Sequence, residues 1–426
     1  MLVSRHSLAL ALAAWSVVVP TSLLSCAGTD PDGSPNFNPL TPFAGGSGNN
    51  PQSSAGAGLG PAGGANGLGT GGSNAQGNGG NSNVGQGGNN TAGNPNNGNA
   101  GSVSNSGAGG AGGGNAGGGV GRVGAEACPP GPFSAPLPAN VNAGVQKLVS
   151  VGANDFFNWE GLVWTDGALY FSEIGNGNVS QISRYTPGSG LQRGVLNDTG
   201  SNGMGLDQNG DLLLADHKVG AISVVALPGL TLDAGAQQRN ATRFNSPNDL
   251  VLRGDGNLYF TDPDFQAPQP RPQDGTRVYR IAPPFLTGEI TIVDQSINNP
   301  NGVTLSPDGN TLYVAGGSTL RRYALDAAGV ATQPDDITND MQVADGMTVD
   351  CAGNVYAVEN SGRRVRVFNP DGEEIGAIGP GPFDDMGLTN VAFGGPNRTT
   401  LFISSASQDQ RGGLYSVELQ VPGLPY

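Results

Sequence analysis

Residues 301–315 read NGVTLSPDGNTLYVA. An apolar run, VTL, leads into an Asp-Gly pair and a second, TLYVA, leads out of it, which is the pattern of two short antiparallel strands around a tight turn. The unit recurs along the chain: EGLVWTDGALYFSE begins at Glu160, NGMGLDQNGDLLLAD at Asn202, NDLVLRGDGNLYFTD at Asn248, DGMTVDCAGNVYAVE at Asp345 and TNVAFGGPNRTTLFISS at Thr389. Counted from Glu160, Asn202, Asn248, Asn301, Asp345 and Asn390, the spacings are 42, 46, 53, 44 and 45 residues. Each pair is followed by enough chain for two more strands, as in RVYRIAP (277–283) and LRRYALD (320–326). A period of about 45 residues with four strands per unit predicts an all-β fold, a β-propeller, and six units predict six blades. No apolar stripe of helical period interrupts this region, which argues against a parallel α/β fold. VQKLVSVG (145–152) is expected to supply the outer strand that completes the last blade and closes the ring.

The repeats occupy residues 128–426, and two other segments precede them. Residues 1–25 carry Arg5 near the start, an apolar run too short to span a bilayer, and small residues, the composition of a secretory signal. Leu23-Leu24-Ser25-Cys26 resembles a bacterial lipobox, which implies lipidation of Cys26 and a lipid anchor in the cell envelope, in the outer membrane rather than the inner, with the head facing periplasm or exterior; a simple cleaved signal is the alternative. Residues 26–127 are dominated by Gly, Asn, Ser and Ala, too poor in apolar groups to offset the entropy of ordering, and read as a disordered linker. Its random-coil reach is roughly 50 to 60 Å. The net charge of -15 disfavours nucleic acid as a partner and makes divalent cations suitable company. The folded head is expected to be a monomer. With Cys26 assigned to lipid, Cys128 and Cys351 form an even remainder, expected to pair in an oxidising compartment, with two free buried thiols as the alternative.

In a propeller the first strand of each blade lines the central channel, so one shared phase of that strand makes a ring. Here the ring is Glu160, Asn202, Asn248, Asn301, Asp345 and Asn390. The second strand returns to the same end and is expected to bring Glu173, Asp216, His217, Asp262 and Glu359 near the same mouth. Asn-Gly and Asp-Gly are favoured turn pairs and each alone reads as turn chemistry. Glutamate is not a turn former, yet Glu160 takes the same phase, and two carboxylates converging on a channel repel unless something positive lies between them. Two anionic oxygens with amide carbonyls suit a hard divalent cation, Ca²⁺ first and Mg²⁺ or Mn²⁺ next; zinc would recruit His or Cys, and the ring has neither.

Glu160 in WEGLVW, Asn248 in NSPNDLVL, Asn301 in NPNGVTLSPDG and Asp345 in ADGMTVD, with YFTDP ending at Pro263 and TNVAFGG from Thr389, resemble the signature positions of the gluconolactonase and senescence-marker-protein (regucalcin) family. The resemblance implies one divalent metal, usually calcium, held by Glu160, Asn301 and Asp345. It also implies hydrolysis of a small-molecule lactone or ester substrate, with Asp345 as general base and Asn248 at the substrate or a metal-bound water. His217 reads as a proton shuttle, a substrate contact or an exposed residue, and Asp262 as a site contact or turn chemistry. One departure matters: sugar-lactonase members carry arginine two positions before the residue matching Asn248, and this chain has Ser246. Their polyhydroxy-acid specificity is therefore not transferred. The rival readings are a non-catalytic surface propeller binding glycan or protein around a structural metal, and an alkaloid-synthase-like or arylesterase-like propeller, the paired-histidine form of which this single-histidine region disfavours.

Overall fold

The computed structural model describes residues 128–150, 158–233, 242–384, 386–406 and 411–425. The signal segment, Cys26 and the Gly/Asn-rich linker lie outside the described residues.

Six four-stranded antiparallel sheets form the blades of a β-propeller. Their inner strands are Asn158–Thr165, Ser201–Leu206, Leu250–Leu252, Pro300–Leu305, Ala344–Val349 and Leu388–Gly394, which open blades I to VI. The ring closes as the sequence predicts: Gln146–Ser150 pairs antiparallel with Gly413–Glu418 and becomes the outer strand of blade VI. Closing last blade to first with a strand from the other end of the domain removes the open edge.

The core is divided among the seams. Among the described residues there are six apolar clusters, each built from two neighbouring blades. Blade VI meets blade I, for example, through Ala392, Phe402 and Leu414 against Trp159, Leu169 and Phe171. Alternation along the strands supplies both faces of each wedge, and no blade buries its apolar surface alone.

Two glycine positions recur among the repeats, and they have different causes. The second, as in Asp308-Gly309, is a turn: Gly309 has φ 67°, and the Asp308 carboxylate accepts the amide of Asn310 at 3.0 Å. The first, directly after the ring residue, reflects close approach of neighbouring inner strands. A Cβ on Gly302 would lie 2.4 Å from the Asp345 carbonyl of the next blade, and one on Gly161 would lie 2.2 Å from the Asn202 carbonyl. At these residues the pairing of first and second strand also slips, between Glu160 and Val163 and between Pro300 and Val303, a bulge that re-aims the ring side chain. Gly302→Ala is therefore expected to destabilise the fold by about 1–3 kcal/mol through overpacking. The denaturant midpoint should fall with an unchanged slope; an unchanged midpoint would show that the strands separate without cost.

A disulfide joins Cys128 to Cys351, with Cα atoms 5.5 Å apart across 223 residues of sequence. Cys351 sits in the hairpin following the inner strand of blade V, at the opposite end of that strand from Asp345.

Candidate metal centre and active site

All six ring residues are buried, from 2 % exposed at Asn202 to 9 % at Asn301. Neighbouring blades tie several of them together. The Asn390 amide donates to the Glu160 carboxylate across the blade VI–I seam at 3.3 Å. Asp345 is hydrogen-bonded by the side chains of Asn301 and Asn360, the latter at 3.3 Å. The Asn202 side-chain oxygen is buried with no hydrogen-bond donor. A buried amide oxygen left without a donor carries a desolvation cost that a cation would relieve.

The electrostatics point the same way. Burial pushes the Glu160 carboxyl well above the usual range, and the charges of Asp345 and then Asp249 push it further. Asp345 is raised by burial, against the two asparagine amides, with Asp249 again adding to the rise. No lysine or arginine is among the main influences on either group. Buried acids without a counter-cation hold their protons; a cation between them would restore both as carboxylates.

Asp249 is a site residue that the sequence reading missed. It follows Asn248, where four other blades have glycine, and it is buried. Its two oxygens accept the amides of Leu250 and, across the seam to blade IV, of Val303, both at 2.9 Å. Burial still pushes its carboxyl up to about 7. The signal was a charged side chain in a glycine column. Asn360 was also missed, and nothing in VENSG marks it as a neighbour of Asp345.

The expected gathering of second-strand acids at the mouth takes a different form. Glu173 is engaged by Gln181 and Arg193, and Glu359 by Arg364 and Arg366. Asp216 accepts the amides of Lys218 and Val219 and the hydroxyl of Ser223. Asp262 accepts the amides of Asn245 and Ser246, and so fixes the loop that leads into Asn248. Strand pleating explains the result: these acids sit one residue out of phase with the inward Ser172 and Thr261, whose hydroxyls bond the carbonyls of Asn202 and Asn301. Their work is to hold turns and cross-strand ion pairs.

His217 is 1 % exposed, which removes the exposed-residue alternative, and its Nε2 lies 3.4 Å from the Ser180 hydroxyl of blade I. Ser246 is buried, and its hydroxyl donates to the Pro263 carbonyl at 2.9 Å, so the position offers no charge to a substrate.

Among the described residues no group of three or more His, Cys, Asp or Glu side chains is arranged to hold a metal ion. The donor set here is of another composition, two carboxylates with several amides, and that oxygen-only chemistry fits a hard divalent cation.

A six-bladed propeller with an acid–amide ring at one end of its channel is the class of protein that fold and site define. Residues 159–407 match the family described as the SMP-30/Gluconolactonase/LRE-like region, and the chain belongs to that family. It is 30 % identical over 295 residues to a gluconolactonase of Zymomonas mobilis, covering 62 % of this chain and 80 % of that one. It is 27 % identical over 263 residues to the pentonolactonase XacC of Haloferax volcanii, covering 59 % of this chain and 83 % of that one. Its fold is shared with the solved gluconolactonase of Xanthomonas campestris, with a TM-score of 0.54 at 23 % identity over 68 % of this chain and 98 % of the other.

Proposed function

We infer that the protein is a divalent-cation-dependent hydrolase that opens a lactone, or a related small ester, at the ring end of the propeller channel. The observation that carries the reading is the pair of buried acids, Glu160 and Asp345, flanked by asparagine amides with no lysine or arginine among their main influences, in a chain similar to a gluconolactonase and a pentonolactonase.

Glu160, Asn301 and Asp345 would hold the cation, calcium first, with Asn301 as a neutral ligand that limits the negative charge. When bound, the cation supplies Lewis-acid polarisation of the substrate carbonyl. Asp345 accepts a proton from the attacking water as the water oxygen bonds to the acyl carbon. The acyl–oxygen bond of the ring then breaks, and the proton passes to the departing alkoxide, leaving a hydroxy acid. Asn248, held in place by the loop that Asp262 fixes, is positioned to orient the water or the substrate through its amide. The interactions of Asn360 with Asp345 and of Asn390 with Glu160 keep the two acids oriented.

The Cys128–Cys351 disulfide supports export to an oxidising compartment. On that reading Cys26 carries the lipid anchor, and residues 26–127 tether a monomeric head to the cell envelope.

The test is a panel of sugar lactones, aliphatic lactones and aryl esters offered to the full chain with calcium or with EDTA. Ring opening with calcium, and its disappearance in EDTA, is the expected result. Tight calcium binding without turnover of any member would instead favour a binding propeller with a structural cation.

A further inference from the structure

Below the ring the C-terminal segment lies across the channel. A cavity of about 60 Å³ runs among the inner strands, with Asp249 and Asn390 in its wall, and its far end is lined by Leu424 and Pro425. Aliphatic side chains, including Leu206, Leu252, Leu305 and Val349, line part of the remaining wall. The segment carrying Leu424 is fastened by main-chain bonds to two blades. Leu424 donates to the Val349 carbonyl at 3.0 Å, Gly423 to Arg398 at 2.7 Å, and Pro422 accepts the amide of Cys351 at 2.8 Å. Gly423 lies so tightly on Phe393 that a Cβ there would come within 2.0 Å of that side chain. Cys351 is also the partner of Cys128, so the disulfide and this segment are secured on one hairpin.

We propose that segment Pro422–Pro425 is a plug that makes the channel a blind pocket and keeps bulk water from the underside of the ring. Polar atoms share the wall with the aliphatic ones, so a cavity of this size holds a few waters but not bulk solvent. Coulombic interactions away from bulk water are much stronger than in it, so the plug strengthens the hold of Glu160 and Asp345 on a cation above it. It also leaves the ring end for substrate to enter. The effect on cation affinity rests on the reading under Proposed function; the exclusion of bulk water does not.

Two variants of the full chain perturb the plug by different means. Leu424→Asn puts a polar group into the cavity, and Gly423→Ala lifts the segment off Phe393; Leu424→Met is the conservative control. The first readout is hydrogen–deuterium exchange of the peptide 301–305, which contains the Val303 amide bonded to Asp249. Both variants should exchange there at least about tenfold faster, with the control like wild type. The second is calcium affinity by titration calorimetry, expected to fall roughly tenfold in both variants. Unchanged exchange in folded variants overturns the plug. A wild-type chain that binds no divalent cation overturns the hydrolase reading instead, and exchange still decides the plug.

Discussion

Asp345→Asn is expected to lower kcat/KM for lactone opening by roughly 10³-fold, within the span over which a positioned general base contributes. Asparagine keeps the size of the side chain and its neighbours Asn301 and Asn360, so the fold should persist and the loss should be chemical. The comparison that isolates the base is Glu160→Gln. Both changes remove one charge from the ring and should weaken cation binding. At saturating calcium, however, Glu160→Gln should recover most of its kcat, because it loses only a ligand, whereas Asp345→Asn should not. Equal recovery by both variants would remove Asp345 from the role of base.

The second large effect is on stability. Glu160 and Asp345 are held well above their ordinary range, and Asp249 and Asp262 stand near 7, burial being the first cause in each case. A carboxyl raised in the folded state contributes stability below its unfolded pKa and loses it as pH rises through the folded one. Between roughly pH 4 and pH 7 the folded chain therefore binds more protons than the unfolded chain, and in EDTA the melting temperature should fall across that window. The acids held low, among them Asp308, Asp336 and Asp384, act below about pH 4 and do not offset it. Calcium at 100 times its Kd adds about 2.7 kcal/mol, a rise of roughly 5 °C in a domain of this size, and the gain should be larger at pH 8 than at pH 5 because protons compete for the same oxygens. Thermal melts at the two pH values, with calcium and with EDTA, check both parts. A melting temperature in EDTA that climbs from pH 5 to pH 8 would contradict the sign, and Asp249→Asn should flatten the slope.

Much of the architecture was legible because it is written locally. NGVTLSPDGNTLYVA carries a strand, a turn and a strand within 15 residues, and its recurrence reports the blade count without any long-range information. The phase of the ring residues was legible for the same reason, since each lies a fixed number of positions before its own turn. The orientation of the second-strand acids was not. Glu173 and Ser172 are adjacent in sequence, yet Ser172 reaches the Asn202 carbonyl while Glu173 meets Arg193 on the other side of the pleat. A shift of one residue decides which side chain faces the neighbouring inner strand, and a bulge at the ring position alters that count.

By itself the sequence determined the propeller, its six blades and the six positions that share one phase, which follow from periodicity along the chain, and its closing strand, which follows from the need to cover an open edge. Only the tertiary structure decided which of those positions interact across the channel, that Asp249 joins Glu160 and Asp345 as a third buried acid, and that Leu424 and Pro425 lie across the channel beneath them. Those relations depend on how blades wrap around an axis and how closely their inner strands approach. Residues of different blades that touch there are set by packing between repeats, which no single repeat contains.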